Sequence, residues 1–424
     1  MKFLKRTGQV ILIPLVVGLI VFVLLAVTYL LPTGRMKDYL RMSIDVFDNE
    51  GVYFQITSEM GELHDNFTEA VYLSQAVVGT QEASLPDLVV NNYGFVENGK
   101  GAAYPIDGIT SAVYDLKKET ISLDNSFYRF FSGWLIVLKP LLMVMGYPDV
   151  RLVCAYTCLL GTALLGWLMY RKKFGKYIVP VMISVLFLRP LAVFLSMAFA
   201  SIYLCALIPC IAMLLIRKET LRERGWLLFG ITGAATFCFN MNFFQLICFG
   251  MPLAFYFLIT GVPEKPVGLL KSIADLFAAW MAGYAGTMLL KWGVYSIVTG
   301  NNIFEAMFNH ALWRSGLEEG SRLEAVASNL GKNFGSIWLD LLEVGFIGWT
   351  IFRWRKNRTK LSVSAAEILL LVLMLLLPAG RVAILANHSI RHSYFVYRVF
   401  MIPVLALNFL LAKKFLAQRR EGAE

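Results

Sequence analysis

Runs of about twenty apolar residues, separated by short polar stretches, govern what this chain can fold into. The first, residues 10–31, carries no charge and is long enough to cross a hydrocarbon core as a helix. It follows a basic start at residues 1–6 and lacks the short apolar core and small-residue cleavage site of a signal peptide, so it reads as an uncleaved anchor. Further runs cover residues 150–170, 177–216, 226–259, 273–298, 334–352, 366–385 and 399–412. The two longest each read as a pair of spans, turning near residues 196–201 and at Asn240-Met241-Asn242. The expected architecture is therefore an all-α polytopic membrane protein of about ten transmembrane helices. Residues 1–31 form the N-terminus and first span, 32–149 a large loop-domain, and 150–424 a bundle of about nine spans.

The composition agrees, since 58% of the residues are hydrophobic and 16% charged, too apolar a mixture for a soluble domain. A formal net charge of +10 would suggest a nucleic-acid partner in a soluble protein. Here the basic residues gather in short clusters between spans, at 171–173, 217–224, 353–360 and 413–414, as topology signals do. With ten spans, every such cluster falls on the side of the N-terminus. Both termini are then cytoplasmic, and the loop-domain lies outside the cell membrane. The six cysteines, Cys154, Cys158, Cys205, Cys210, Cys238 and Cys248, lie in or beside apolar runs and read as small buried hydrophobes rather than a disulfide framework.

The loop-domain contains His64-Asp65-Asn66-Phe67-Thr68-Glu69. On a helix Asp65 and Glu69 share a face and can act together on a hydroxyl; equally, Asn66 with Glu69 before Ala70, Val71 and Leu73 makes a capping-box-like helix start. Residues 132–146, with Lys139 and Pro140, are apolar but too short to span, and are expected along the membrane surface or re-entering it. Phe127, Tyr128, Phe130, Phe131 and Trp134 surround Arg129, either as an interfacial aromatic belt or as sugar-stacking surfaces.

Charged residues inside spans are costly and need a partner or a job. Lys291 either snorkels or pairs for structure, or meets an anionic ligand, while its neighbours Ala279, Ala282, Gly283 and Gly286 allow close helix contact. The stretch 387–398 is dense in donors. As a continuous helix it puts His388 beside His392 and aligns Arg391 with Arg398, two planar forks suited to a phosphate or to ordinary lipid headgroups. A zinc site on the two histidines lacks an evident third ligand. The sequons at Asn66 and Asn387 are read as chance, and Walker, nucleophile-elbow and His-Glu-x-x-His motifs are absent.

With a large external first loop bearing acids, and with Asp65-Asn66-Phe67-Thr68-Glu69, Tyr128-Arg129-Phe130-Phe131-Ser132-Gly133, Gly283-Tyr284-Ala285-Gly286 plus Lys291-Trp292, and the 387–398 motif, the chain resembles GT-C-type membrane glycosyltransferases. More closely, it resembles multi-pass proteins of bacterial surface-glycan loci. The resemblance implies transfer of a sugar from a polyprenyl phosphate or pyrophosphate to a glycan or lipid acceptor outside the cytoplasmic membrane. It implies Asp65 as general base with Glu69 as helper or alternative. Arg391, Arg398, Lys291, Arg129, His388 and His392 would face the donor phosphate, and Tyr128, Trp134 and Asn66 the sugar or acceptor. Acceptor recognition is expected within residues 79–121. Such proteins carry Asp at the second acidic position and an acid in the turn where this chain has Gln245, which leaves divalent-cation use open. The competing readings are a polysaccharide polymerase or ligase, whose main external loop would fall later in the chain, and a transporter or flippase for a lipid-linked glycan, for which the halves show no internal repeat.

Overall fold

The computed structural model describes residues 2–58, 62–94, 125–241, 243–318, 320–357 and 362–416. Ten helical segments stand where the ten apolar runs are. Among the described residues, however, only six helices are long and apolar enough to cross a membrane: 10–29 within Lys2–Tyr29, then Tyr147–Arg171, Met197–Leu215, Pro266–Thr299, Ala365–Ile384 and Ser393–Phe415. A seventh arises if Arg322–Asn333 and Ile337–Asn357, bent by 81°, count as one span. The shortfall has local causes. Gly175–Leu186 and Ile247–Thr260 are short, and Lys218–Phe239 opens with Lys218, Glu219, Arg222, Glu223 and Arg224. The fold is an all-α polytopic bundle with two very small β ladders.

The tightest helix pair is α2 (Lys218–Phe239) on α3 (Pro266–Thr299), and α1 (Lys2–Tyr29) packs against both. Glycine makes the α2–α3 crossing possible. A Cβ on Gly283 would sit 1.9 Å from the Gly230 carbonyl oxygen, and one on Gly233 would sit 2.0 Å from that of Trp280. Gly286 admits Pro14 of α1 in the same way. The small-residue stripe is therefore a backbone contact at Gly283 and a seat for the Pro14 ring at Gly286.

The described part of the loop-domain packs against this bundle. Tyr53–Gln55 pairs antiparallel with Leu63–Asp65, placing Tyr53 opposite Asp65, and helix Asn66–Ala76 follows at once. That helix is almost wholly buried although it carries Asn66, Thr68, Glu69, Ser74 and Gln75, so its polar side chains must find partners inside the protein. Leu85–Asn91 follows it, and Tyr93–Gly94 pairs with Asn125–Ser126. Helix Leu135–Leu142, too short to span, buries Leu135, Leu138, Lys139 and Leu142 and leaves Val137 exposed. Most of residues 79–121, expected to recognise the acceptor, lies outside the described residues, as do Asn242, Arg358 and Lys360.

Candidate functional site

Asp65 ends a strand and starts a helix, and its side chain serves that junction. It is the N-cap of Asn66–Ala76, so the capping residue is one earlier than the expected Asn66. Oδ1 accepts the Thr68 backbone N–H at 3.1 Å and Oδ2 the Thr68 hydroxyl at 2.8 Å, while the Tyr394 hydroxyl lies 3.4 Å from Oδ2. The residue is 2% exposed. Burial, reinforced by the nearby charge of Glu69, pushes its carboxyl up to about 6, against the restraint of the Thr68 hydrogen bonds. Beside it His64 is buried and held down to about 4, by burial first and then by Arg151, so its imidazole is neutral.

Glu69 lies one turn on but faces a different task. Its carboxylate accepts the Tyr147 hydroxyl at 2.5 Å, the Ser196 hydroxyl at 2.7 Å, and the backbone N–H groups of Ala198 at 3.0 Å and Met197 at 3.3 Å. This fully buried side chain caps the start of Met197–Leu215. The expected pairing of Asp65 with Glu69 on one hydroxyl is not what these side chains do. Asn66 is committed as well: its Nδ2 donates to Glu50 and to the Gly51 carbonyl, and its Oδ1 accepts from Arg151, which forks onto Glu50 at 2.7 and 2.8 Å.

Other expected ligand contacts are likewise structural. Lys291 is fully buried, and its Nζ donates to the Val89 and Val90 carbonyls at 3.0 and 2.7 Å, at the C-terminal end of Leu85–Asn91. Lys139 does the same for Asn66–Ala76 through Ala76 and Val78, at 2.8 and 2.7 Å, and burial holds its ammonium down to about 7. Trp134 is stacked on Tyr72, with centroids 4.1 Å apart, and donates to Gln75; it is buried rather than presented to a sugar. Tyr128 is half-buried and stacked on Tyr295.

The 387–398 stretch is not one helix. It breaks at His392 between Ala386–Arg391 and Ser393–Val396, then tightens into the 3-10 turn Tyr397–Phe400. Arg391 and Arg398 therefore do not share a face. Arg391 is half-exposed, paired with Glu318 and set over Trp313. Arg398 is fully buried between the rings of Phe199 and Tyr397, with Nε donating to the Leu188 carbonyl at 2.9 Å. His388 is buried with its ring 4.7 Å from that of His392.

What the chain does assemble is a group of cations that composition could not reveal. Arg129 Nη1 lies 3.3 Å from His310 Nε2, and His310 stands one turn before Arg314 on Ile303–Ser315. Arg314 lies within electrostatic reach of Arg129 and Arg381, and His392 within reach of Arg314, Arg391 and Arg381. Arg381 donates to the Phe243 carbonyl at 2.6 Å, but its Nε and Nη1, the Nε of Arg314 and the Nδ1 of His392 are buried without a hydrogen-bond partner. Among the described residues no carboxylate pairs with Arg129, Arg314 or Arg381. Burial, then the guanidinium charges, hold His310 and His392 down to about 4, and burial with Arg129 holds Arg314 down to about 10. At neutral pH the cluster presents three guanidinium charges and two neutral imidazoles. Gln245 borders it through Tyr284, at the position where the resemblance expects an acid.

The acid and the cations are joined by one bridge. Tyr394 touches Asp65 through its hydroxyl, and its ring lies 6.1 Å from that of His392 and 5.0 Å from exposed Tyr53. An apolar cavity of about 380 Å³ opens between the helices below, bounded by Trp134, Met197, Leu204, Pro209 and Ile231. Among the described residues no group of three His, Cys, Asp or Glu is placed to hold a metal ion. Arg381 and Lys139 were readable as charges in apolar runs, whereas Arg314 and His310, in a polar stretch, carry no such signal. No protein-family model, curated protein or solved structure matches the chain.

Proposed function

We propose that this membrane protein is a glycosyltransferase that moves a sugar from a polyprenyl-linked phosphate or pyrophosphate donor to a glycan or lipid acceptor outside the cytoplasmic membrane. The observation that carries the reading is the guanidinium cluster without a carboxylate, set one tyrosine away from a carboxyl that burial raises towards neutrality. Such a cluster is unstable by itself and suits a polyanionic headgroup, because each guanidinium offers a planar fork of donors. Of the donor-phosphate ligands expected from sequence, Arg129 and His392 are kept, Arg391, Arg398, Lys291 and His388 are set aside, and Arg314, Arg381 and His310 join them, the two histidines as neutral donors. The apolar cavity is suited to hydrocarbon.

In this mechanism Asp65, ionised, takes the proton of an acceptor hydroxyl that displaces the long Tyr394 contact. The hydroxyl oxygen forms the bond to the anomeric carbon as the bond from that carbon to the phosphate oxygen breaks. The leaving phosphate keeps the electron pair and its charge is met by the guanidiniums. Positioning and charge stabilisation supply the catalysis.

A polymerase or ligase would use the same groups on a longer acceptor, and a flippase would use the cations without the acid. The test is to extract lipid-linked sugars from the native membrane, reconstitute protein with them in vesicles, and measure both bound lipid and transfer. Asp65→Asn should retain the lipid and lose transfer, while Arg314→Gln with Arg381→Gln should lose the lipid. Full transfer by Asp65→Asn would remove the base assignment, and net lipid translocation without transfer would establish the flippase.

A further inference from the structure

Away from the cation cluster, Ile337–Asn357 packs against Met401–Phe415 and Ile178–Leu186. Three polar side chains meet where these helices touch: Glu343, 7% exposed, and the fully buried Asn408 and Ser184. Asn408 Nδ2 donates to Glu343 Oε2 at 3.0 Å and stands 3.4 Å from Ser184 Oγ. The Ser184 hydroxyl is already spent on the Pro180 carbonyl at 2.8 Å. Two buried atoms are left without a partner, Glu343 Oε1 and Asn408 Oδ1. Both are acceptors if Glu343 is ionised.

Among the described residues no cation pairs with that carboxyl. Ile178–Leu186 contains no titratable side chain. On Met401–Phe415 the cations are Lys413 and Lys414, both paired with Glu367. On its own helix, Asp340 lies within reach of Arg189, and Arg353, Arg355 and Lys356 stand more than two turns away. Among the described residues Asn408 is the polar side chain that acts on the carboxyl. An unpaired carboxylate in such surroundings costs several kcal/mol after relaxation. A protonated carboxyl has one O–H to give.

We infer that Glu343 and Asn408 form a proton-binding site inside the helix bundle, in which Glu343 is a neutral acid that donates Oε1–H to Asn408 Oδ1 while accepting from Asn408 Nδ2. One proton thereby satisfies both orphaned acceptors and closes an acid–amide ring. The ligand is the proton itself, and the site is independent of the proposed transferase activity. Losing that proton breaks the Oε1–H bond to Asn408 Oδ1 and leaves a buried charge held by Asn408 Nδ2 alone, so stability falls as pH rises through the titration of this pair.

The test is infrared spectroscopy of the full-length protein in lipid at pH 8, comparing wild type with Glu343→Gln on an Asp65→Asn background, so that Asp65 does not contribute. Wild type minus Glu343→Gln should contain the carbonyl stretch of a protonated carboxyl and no carboxylate pair of bands. A carboxylate pair of bands in place of that carbonyl stretch would overturn the inference. Should Glu343→Gln fail to fold, glutamate-selective carbon-13 labelling of the Asp65→Asn protein reads the same bands, with the protonated band persisting at pH 8 as the supporting result and its absence as the refuting one. In melting experiments, a folded Glu343→Gln should hold its Tm between pH 7 and 10 while the parent loses several degrees. Parallel pH profiles would equally overturn the assignment.

Discussion

Asp65 combines two demands that pull against each other. As an N-cap it is best ionised, yet it is buried, so its carboxyl sits at about 6 rather than the ordinary 3.8. The sign follows from linkage. Between those values the folded chain holds a proton that the unfolded chain has released, so stability falls as pH rises through the window and the whole penalty stands above it. Two units correspond to about 3 kcal/mol as an order of magnitude. Asn caps a helix as well as Asp does. Asp65→Asn should therefore melt at a higher temperature than wild type at pH 8, converge with it near pH 4, and transfer no sugar, whereas wild-type transfer should decline below about pH 6. The cation cluster follows the same logic. Arg314→Gln removes a like-charge neighbour of Arg129 and Arg381, which should raise the melting temperature of the unliganded protein. It should also weaken binding of the lipid-linked donor by about 10- to 100-fold, one charged hydrogen-bonding group being worth about 1.5–3 kcal/mol. Gln245→Glu should act alike, by placing an anion beside Tyr284, Arg314 and Arg381. Thermal unfolding with and without donor lipid separates these effects. Of the site, the acid was legible because it stands at a strand-to-helix junction in a polar segment. Arg129 and His392 were named among the phosphate ligands, but their grouping with Arg314, Arg381 and His310 was not legible, because these residues come from distant elements that only the fold brings together.

At the scale of elements, the apolar runs told where helices lie, and the small-residue stripe told that one of them admits a close neighbour without telling which. Gly283 makes the point testable. An added Cβ meets backbone at Gly230 rather than a side chain that can turn aside, so Gly283→Ala must separate α2 from α3 and should cost several kcal/mol, above the usual 1–3 kcal/mol of overpacking. Gly293→Ala on the same helix meets open space and should be neutral or slightly stabilising. Comparing the two melting curves isolates the crossing. The helix ends were less legible than the helix middles. The break at His392 has no Gly or Pro to announce it, so the alignment of Arg391 with Arg398 drawn from an unbroken helix fails there. Lys291 is satisfied by the Val89 and Val90 carbonyls, partners invisible to any count of opposite charges.

For the whole molecule, hydropathy and the rhythm of basic clusters made the class legible, while the number of crossings depends on where helices bend and on how charged their first turns are. Orientation remains a proposal with a direct test. In a chain cleared of its native cysteines, a cysteine at Lys356 should be protected from a membrane-impermeant thiol reagent in intact cells, and one at Glu318 should react. The reverse pattern would invert the molecule. The two buried lysines carry a consequence for how the protein is made. Leu85–Asn91 leaves the ribosome 202 residues ahead of the ammonium that completes its C-terminal end, Val89 being that far from Lys291. At ordinary synthesis rates of about 5–20 residues per second, that gap lasts roughly 10 to 40 seconds. Throughout that interval the loop-domain is made but unfinished, a client for whatever holds nascent chains, and its maturation is timed by the arrival of a later helix.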